Sequence, residues 1–585
     1  MAMSTNSTPL PGRDKSIDYI SEPDRAFRSL LIDFDNAELP ITTLREITML
    51  RFMDDITDKP EWNIHINDPE VSAKWREEAV SSSDDFTPNM MEWCIAELRY
   101  KASLIPHDAA DKQPPIFVFN GDVVKSDTAL SVELKQALQE AVIKFEHGIP
   151  ANLKDYRPDS DGKVWDVVHP SLFPLIYGRT RVLEMGTTAI NLNDCLERSG
   201  EGNIVNYPGK SKVKRQLYAD ELPFSEKFQW LPCEVDISGD EPRYVLPFFF
   251  NLRYVYEKQY VHLNLFRINS YINNLHPSEK PLYDLLEKVI GASIPLWDLT
   301  LAPTRRRPYD FAFRIPYDID TNSHVREDSE GESGSEVDEA EDGGEHSSQA
   351  DIRPEPKLPF APLASPTQLS LKEEYGHLQV IVQLTNIELT PEKPAHEDNF
   401  WNIQTPLNEH IVASSLYVYS CSNVKPFAIG FRQIFPKSDS ELDRDYRPND
   451  PRWLTTIFGV EEDTQAVQVL GAVSTPEGRV LTFPNILQYS MEPVELEDPS
   501  KPGHLKFVVL YLVDPNIRII STAHVPCQRR NWLEEVDIQQ SEPVPSDFPI
   551  SLQDAKLLRE ELMNEREDFA SEFESKIEVI GNNFY

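Results

Sequence analysis

Two stretches of this chain hold the side chains whose type and spacing bear on chemistry. The first reads Phe400-Trp-Asn-Ile-Gln-Thr-Pro-Leu-Asn-Glu-His410-Ile-Val-Ala-Ser-Ser-Leu-Tyr417 and continues to Gly430-Phe-Arg-Gln433. On a strand, side chains at i and i+2 share a face, so Asn402 and Gln404 would stand side by side as two neutral amides. The second runs from Gly478 to Tyr489, and is followed by Pro502-Gly-His-Leu-Lys506 and the apolar run to Pro515. Tyr489 brings a phenol, protonated near neutral pH because its reference pKa is roughly 10. Amides and a phenol bind polar groups by hydrogen bonding, but they are poor ligands for ferrous iron beside imidazole or carboxylate. His410, His377 and His396 are the histidines nearest this pair. Each reads as a metal-ligand candidate or as a hydrogen-bonded core or turn residue. His169 and His276 precede prolines, as turn residues do. No Ser-His-Asp signature, phosphate loop, dinucleotide fingerprint or paired Cys/His cluster is present.

The elements that must position these residues are strands. Alternation runs through Leu378 to Leu389, Ile411 to Tyr419, Val467 to Val473, Val480 to Phe483 and Phe507 to Val513, with Gly, Pro and Asp turns between them. Short strands at this spacing suggest a sandwich or barrel of the jelly-roll kind. The preceding half is mainly helical. Thr43-Leu-Arg-Glu46 opens a helix as a capping box, and helical spacing recurs from Met90 to Lys101, from Leu130 to Phe145 and from Leu282 to Ile290. Short strands are expected near Val164 to Val168 and Thr180 to Met185. Ser551-Leu-Gln-Asp554 caps a last helix carrying Leu552, Leu558, Leu562 and Phe569, which should pack back on the core.

The chain thus divides into a flexible N-terminus (1–38), a mainly helical region (39–318), an acidic linker (319–368), a strand domain (369–545) and a C-terminal helix with its tail (546–585). Asp320 to Thr367 is rich in Glu, Asp, Gly, Ser and Pro and is expected to be disordered. Val245 to Arg267 is an apolar, aromatic insert that reads as an extra hairpin or as the translation of a retained intron.

These residues resemble a large fungal family known only as a domain of unknown function (forty-two forty-six). Thr57-Asp-Lys-Pro-Glu-Trp62, Lys74-Trp-Arg-Glu-Glu78, Val168-His-Pro-Ser-Leu-Phe-Pro-Leu-Ile-Tyr-Gly-Arg-Thr-Arg181, Phe228-Gln-Trp-Leu-Pro-Cys233 and Ser270-Tyr-Ile-Asn-Asn-Leu-His-Pro277 look like its recurring blocks. That family is similar to the oxygenases that use non-haem iron and 2-oxoglutarate. The resemblance implies an α+β protein: a helical N-terminal region plus a C-terminal double-stranded β-helix, jelly-roll and cupin-like. The family pattern has Trp-His-x-Glu-Gly in the first stretch and Leu-Gln-His-Arg-Val in the second. This chain has Asn402 for the first His, Gln404 for the Glu and Tyr489 for the second His. All three metal-ligand positions are therefore substituted, and no catalytic residue or bound metal is expected. Pro-Gly-His-Arg-Lys of the family becomes Pro502-Gly-His-Leu505-Lys506, which leaves Lys506 as the possible anchor for 2-oxoglutarate. Leu505 and Lys506 fall on opposite faces of a strand, so one of them faces inward. The resemblance implies a metal-free, degenerate relative with a binding or scaffolding role. The alternative is an active Fe(II)- and 2-oxoglutarate-dependent oxygenase, in secondary metabolism for instance, with His410 as a displaced ligand.

Composition limits the partners. The 585 residues carry a net charge of −40, and Glu327 to Glu345 supplies only a quarter of it. So acidic a chain is a poor match for nucleic acid or an anionic membrane, which need a positive surface. A small molecule in the β-helix pocket is the partner left open. Cys94, Cys195, Cys233, Cys421 and Cys527 are scattered without zinc or disulfide spacing, as expected of reduced thiols. With no basic and apolar leader at Met1 and no long apolar run, a cytoplasmic or nuclear location is expected.

Overall fold

The computed structural model describes residues 9–17, 19, 27, 29–31, 39, 41–82, 85–105, 113–119, 123–150, 154–209, 224–239, 266–305, 313–315, 353–363, 368–404, 406–434, 454–461, 464–535 and 548–577. The insert through residue 265 and the acidic run 316–352 lie outside the described residues.

The chain forms an α+β structure with antiparallel sheets. Its helices among the described residues are α1 (Leu44–Thr57), α2 (Trp62–His65), α3 (Pro69–Ser82), α4 (Pro88–Ser103), α5 (Val132–Gly148), α6 (Lys280–Leu301), α7 (Leu371–Glu374), α8 (Arg530–Glu535) and α9 (Leu552–Lys576). Eight strands make the C-terminal core: β10 (His377–Leu389), β11 (Ala395–Asn402), β12 (Ile411–Ser422), β13 (Ala428–Ile434), β14 (Val467–Ser474), β15 (Val480–Pro484), β16 (Gln488–Glu495) and β17 (Gly503–Val513). They divide into two sheets. One runs β15-β12-β17-β10, and the other runs β11-β16-β13-β14.

The N-terminal half is not a separate body. Its strands β1 (Ile116–Phe117) and β2 (Val124–Ser126) extend the larger sheet beyond β15, and β8 (Cys233–Asp236) and β9 (Arg267–Ile268) extend it beyond β10. β3 (Val164–Val168) also pairs with β10. Two ribbons complete the set: β4 (Leu175–Ile176) with β7 (Phe228–Gln229), and β5 (Arg181–Val182) with β6 (Asn203–Ile204).

Alternation on β17 decides what each sheet face touches. Val508, Leu510 and Leu512 pack with Leu138 and Val142 of α5 and Leu286 and Trp297 of α6. Leu505 turns the other way, into the space between the sheets, with Phe431, Phe483 and Leu496. That second core continues out to Met49, Met53 and Leu98 of α1 and α4.

Thr43 caps α1 by accepting from the Glu46 backbone N–H. The return arm of a capping box is not made. The fully buried Glu46 carboxylate instead accepts from the Arg314 and Ile315 backbone N–H groups. Arg314 also pairs with Glu97 at 2.6 Å. Part of the segment read as a linker is seated here too. Phe360 packs edge-on to Trp93 with ring centres 5.1 Å apart, and Arg353 pairs with Asp85.

Candidate functional site between the sheets

β11 ends at Asn402, directly across from Tyr489 near the start of β16. Two residues on, past the end of the strand, Gln404 is nearly buried, and its amide nitrogen donates to the Tyr489 hydroxyl at 2.7 Å. Asn485 holds this turn. Its side chain accepts from the Gln404 backbone N–H and donates to the Ile411 carbonyl. Asn402 donates to the Phe400 carbonyl of its own strand. Gln404 and Tyr489 are therefore in contact, while Asn402 is a cross-strand neighbour whose side chain bonds elsewhere.

The surroundings of Tyr489 keep its phenol protonated. Burial pushes the hydroxyl well up, and Tyr511 and Asp398 add to this against the pull of Arg157 and the Gln404 bond. The larger sheet faces this site with polar groups set into an apolar strand. Gln383 accepts from the Tyr511 hydroxyl at 2.9 Å and donates to Thr385 at 3.0 Å. Thr385 donates to Asp166 on β3, which Arg157 holds through its Nε and Nη2. Burial raises the Asp166 carboxyl, but Arg157 and His169 outweigh it, so the net shift is downward. Arg157 lies deep among protein atoms, yet its side chain keeps 28% exposure. Arg157 is therefore where this hydrogen-bonded group meets solvent.

The basic residue behaves differently. Lys506 sits on the helix-facing side of β17 and pairs with Glu146 of α5 at 2.6 Å. Leu505, fully buried, is the residue that faces between the sheets. Lys506 is thus outside the group formed by Gln404 and Tyr489.

His410 caps the short turn Leu407–Glu409 in a left-handed conformation, φ 46°. It is 3% exposed, and neither ring nitrogen has a hydrogen-bond partner among the described residues. Burial alone lowers its pKa to about 4. No hydrogen bond joins it to Gln404 or Tyr489. His169 accepts from the Ser171 N–H, and His276 bonds Ser278, so both serve turns. His377 opens β10 and His396 sits half-buried on β11.

Ferrous iron can be tested against this donor set. Among the described residues, no three His, Cys, Asp or Glu side chains stand together so as to hold a metal ion. The two groups that meet, an amide and a phenol, are bonded to one another and carry no charge to offset desolvation of a divalent cation. The residues at this site do not fit Fe(II). A cavity of about 260 Å³ lies elsewhere, lined by Arg13, Lys15, Glu184, Asn203 and Tyr207, with none of the site residues in its wall.

Arg157, Asp166, Gln383, Thr385 and Tyr511 do not stand out in the sequence. Gln383 and Thr385 are the one available signal, since they interrupt an apolar strand on a single face. Arg157 and Asp166 come from a segment more than two hundred residues upstream, and only the fold brings them here.

The described helices include none long and apolar enough to cross a membrane. All five cysteines are free, four of them buried and Cys421 half-buried.

Comparison with known proteins gives a family and little beyond it. No curated protein matches the chain. Three solved structures share faint likeness. IDO from Bacillus thuringiensis is 9% identical with a TM-score of 0.16, over 24% of this chain and 46% of that one. A bsmA homologue from Methylobium petroleophilum is 10% identical with a TM-score of 0.16, over 25% and 45%. The Fe(II)/α-ketoglutarate-dependent dioxygenase TqaL is 12% identical with a TM-score of 0.15, over 25% and 47%. The chain spans under half the length of each, and likeness at this level assigns no activity. The family profiles match far more of the chain. The DUF4246 N-terminal domain of unknown function covers residues 7–78, and the protein of unknown function DUF4246 covers residues 88–536. A match over that much of its length places the chain in the DUF4246 family.

Proposed function

We propose that this chain is a binding protein on an oxygenase-type scaffold, with a hydrogen bond between two neutral side chains where a metal would be held. The strand order supports the scaffold. From β10 to β17 the chain passes between the sheets so that β15-β12-β17-β10 faces β11-β16-β13-β14. Such an order is what a double-stranded β-helix, or jelly roll, would give, and it supports that reading. Asn402 at the end of the second strand and Tyr489 near the start of the seventh occupy two of the positions where the family resemblance puts metal ligands.

The observation that carries the reading is the 2.7 Å bond from Gln404 to Tyr489. It pairs the two side chains with one another without an ion. Beside it Gln383, Thr385 and Tyr511 form a buried polar group that meets solvent at Arg157, where a small polar molecule would be recognised. Lys506 is engaged by Glu146, so it offers no free cation to a 2-oxoglutarate carboxylate between the sheets.

Turnover tests this reading. Supplied with Fe(II), O₂ and 2-oxoglutarate, the unmodified chain should form no succinate above a protein-free blank. The triple variant Asn402→His, Gln404→Glu, Tyr489→His should gain iron binding, while single reversions should not. Succinate formed catalytically by the unmodified chain would overturn the proposal.

A further inference from the structure

The C-terminal helix α9 spans the two sheets at the polar end of the space between them. In its first half, Ala555 and Leu562 pack into a cluster with Ile381, Tyr511 and Val513 of the larger sheet, Tyr511 being the residue that bonds Gln383. Its middle carries Arg566, whose guanidinium lies 3.5 Å over the Trp230 ring and bonds Glu409 at 2.8 Å. Trp230 in turn stands 5.7 Å from Tyr511. Near its end, Glu574 bonds Arg432 of β13 and Gln488 of β16, the residue beside Tyr489. Phe573 packs with Ile403 and Leu407, on either side of Gln404 along the chain.

What holds this helix is mostly charge. Of its 25 residues, Ala555, Arg559, Leu562 and Phe573 are buried, and one of those four is an arginine. Its other ties are Arg559 and Lys556 to Asp155, Glu561 to Lys227, and Glu565 to Ser225. The buried ion pairs are incompletely satisfied: Glu409 Oε2 and Arg559 Nε have no hydrogen-bond partner among the described residues. Buried pairs of this kind add little net stability, because desolvation offsets the attraction. An element with few apolar contacts is drawn from the low-stability end of a fold and opens locally.

We infer that α9 is a reversible cover over the polar end of the space between the sheets, opening as a unit while the sheets stay folded. Its release uncovers Trp230, Tyr511 and the turn that holds Gln404. The inference rests on that polar end being the binding site, but the opening itself needs neither ligand nor metal.

Hydrogen exchange on the full chain tests it without either. Amides of residues 552–576 should exchange at least roughly tenfold faster than those of β10, β12 and β17, by a local opening that denaturant barely accelerates. In the double variant Arg559→Gln, Arg566→Gln, exchange should rise further in α9 and in residues 224–231 and 404–412 that it covers, with the three strands unchanged. Exchange of α9 at the rate of the strands in the unmodified chain, or a variant that speeds all segments equally, would overturn the cover. Succinate formation by the unmodified chain would sink the metal-free reading and leave this result standing.

Discussion

The space between the two sheets has two unlike ends. One is filled by Leu389, Leu505, Phe431, Phe483 and Leu496, all nearly inaccessible to water, and its stability comes from close packing. The other holds two hydrogen-bonded groups, Gln383, Thr385, Asp166 and Arg157 in one and Gln404 with Tyr489 in the other, and solvent reaches it at Arg157. The same pair of strands, β10 and β17, floors both. Packing alone would favour apolar residues throughout, since a buried polar group only breaks even when bonded. The polar end is where the fold has kept hydrogen-bonding capacity, and where α9 rather than a sheet provides the cover.

The comparison can be broken most easily at the apolar end. Phe431→Ala removes a ring that packs edge-on against Phe119 and Phe483, and should cost about 3–5 kcal/mol in a denaturant titration. A loss under about 1 kcal/mol would mean that this end is not a packed core.

Acid should act on the flank of the polar end through His410. Its folded-state pKa of about 4 lies below the ordinary 6.5, so the unfolded chain takes up the proton first as pH falls. Stability from this residue is whole above about 6.5 and drains away as pH drops toward 4. Asn tolerates the left-handed backbone here, so His410→Asn should remove about 2–3 kcal/mol of the pH dependence between those limits. Parallel unfolding curves for variant and parent across that window would refute it.

The outer face of β17 gives a smaller effect. Lys506→Met strands Glu146, which also holds Asn386 at 2.7 Å. With 12% and 10% of the paired side chains exposed, the loss should be about 2 kcal/mol, below that of a fully buried pair. The smallest effect belongs to the site itself. A double-mutant cycle with Gln404→Ala and Tyr489→Phe should return a coupling of about 1 kcal/mol, the net worth of one hydrogen bond. Zero coupling would show that the two side chains do not depend on one another.

Much of the fold is legible in the sequence where periodicity is strong. β10, β12, β14, β15 and β17 follow the alternating runs closely, and the Ser551 cap marks the start of α9. β11, β13 and β16 are harder to read. β11 and β16 pair with shifts of register near Asp398, which break the two-residue period, and β13 shifts against β14 at Phe431. β3 matches the short strand expected from Val164 to Val168, but β2 and β8 are missed, since their few residues carry no period yet extend the larger sheet. At the site, Gln404 and Tyr489 follow from the family blocks. Leu505 and Lys506 could be placed on opposite faces but not assigned, because either choice satisfies alternation until α5 brings Glu146 to one of them.

The account stands or falls on whether a ferrous ion binds between the sheets. Anaerobic titration of the unmodified full chain with Fe(II), followed by metal analysis after gel filtration, reads this directly. The expected result is far less than one equivalent retained, with the Asn402→His, Gln404→Glu, Tyr489→His variant holding more under the same conditions. One equivalent retained by the unmodified chain, and lost on Gln404→Ala or Tyr489→Phe, would contradict the account.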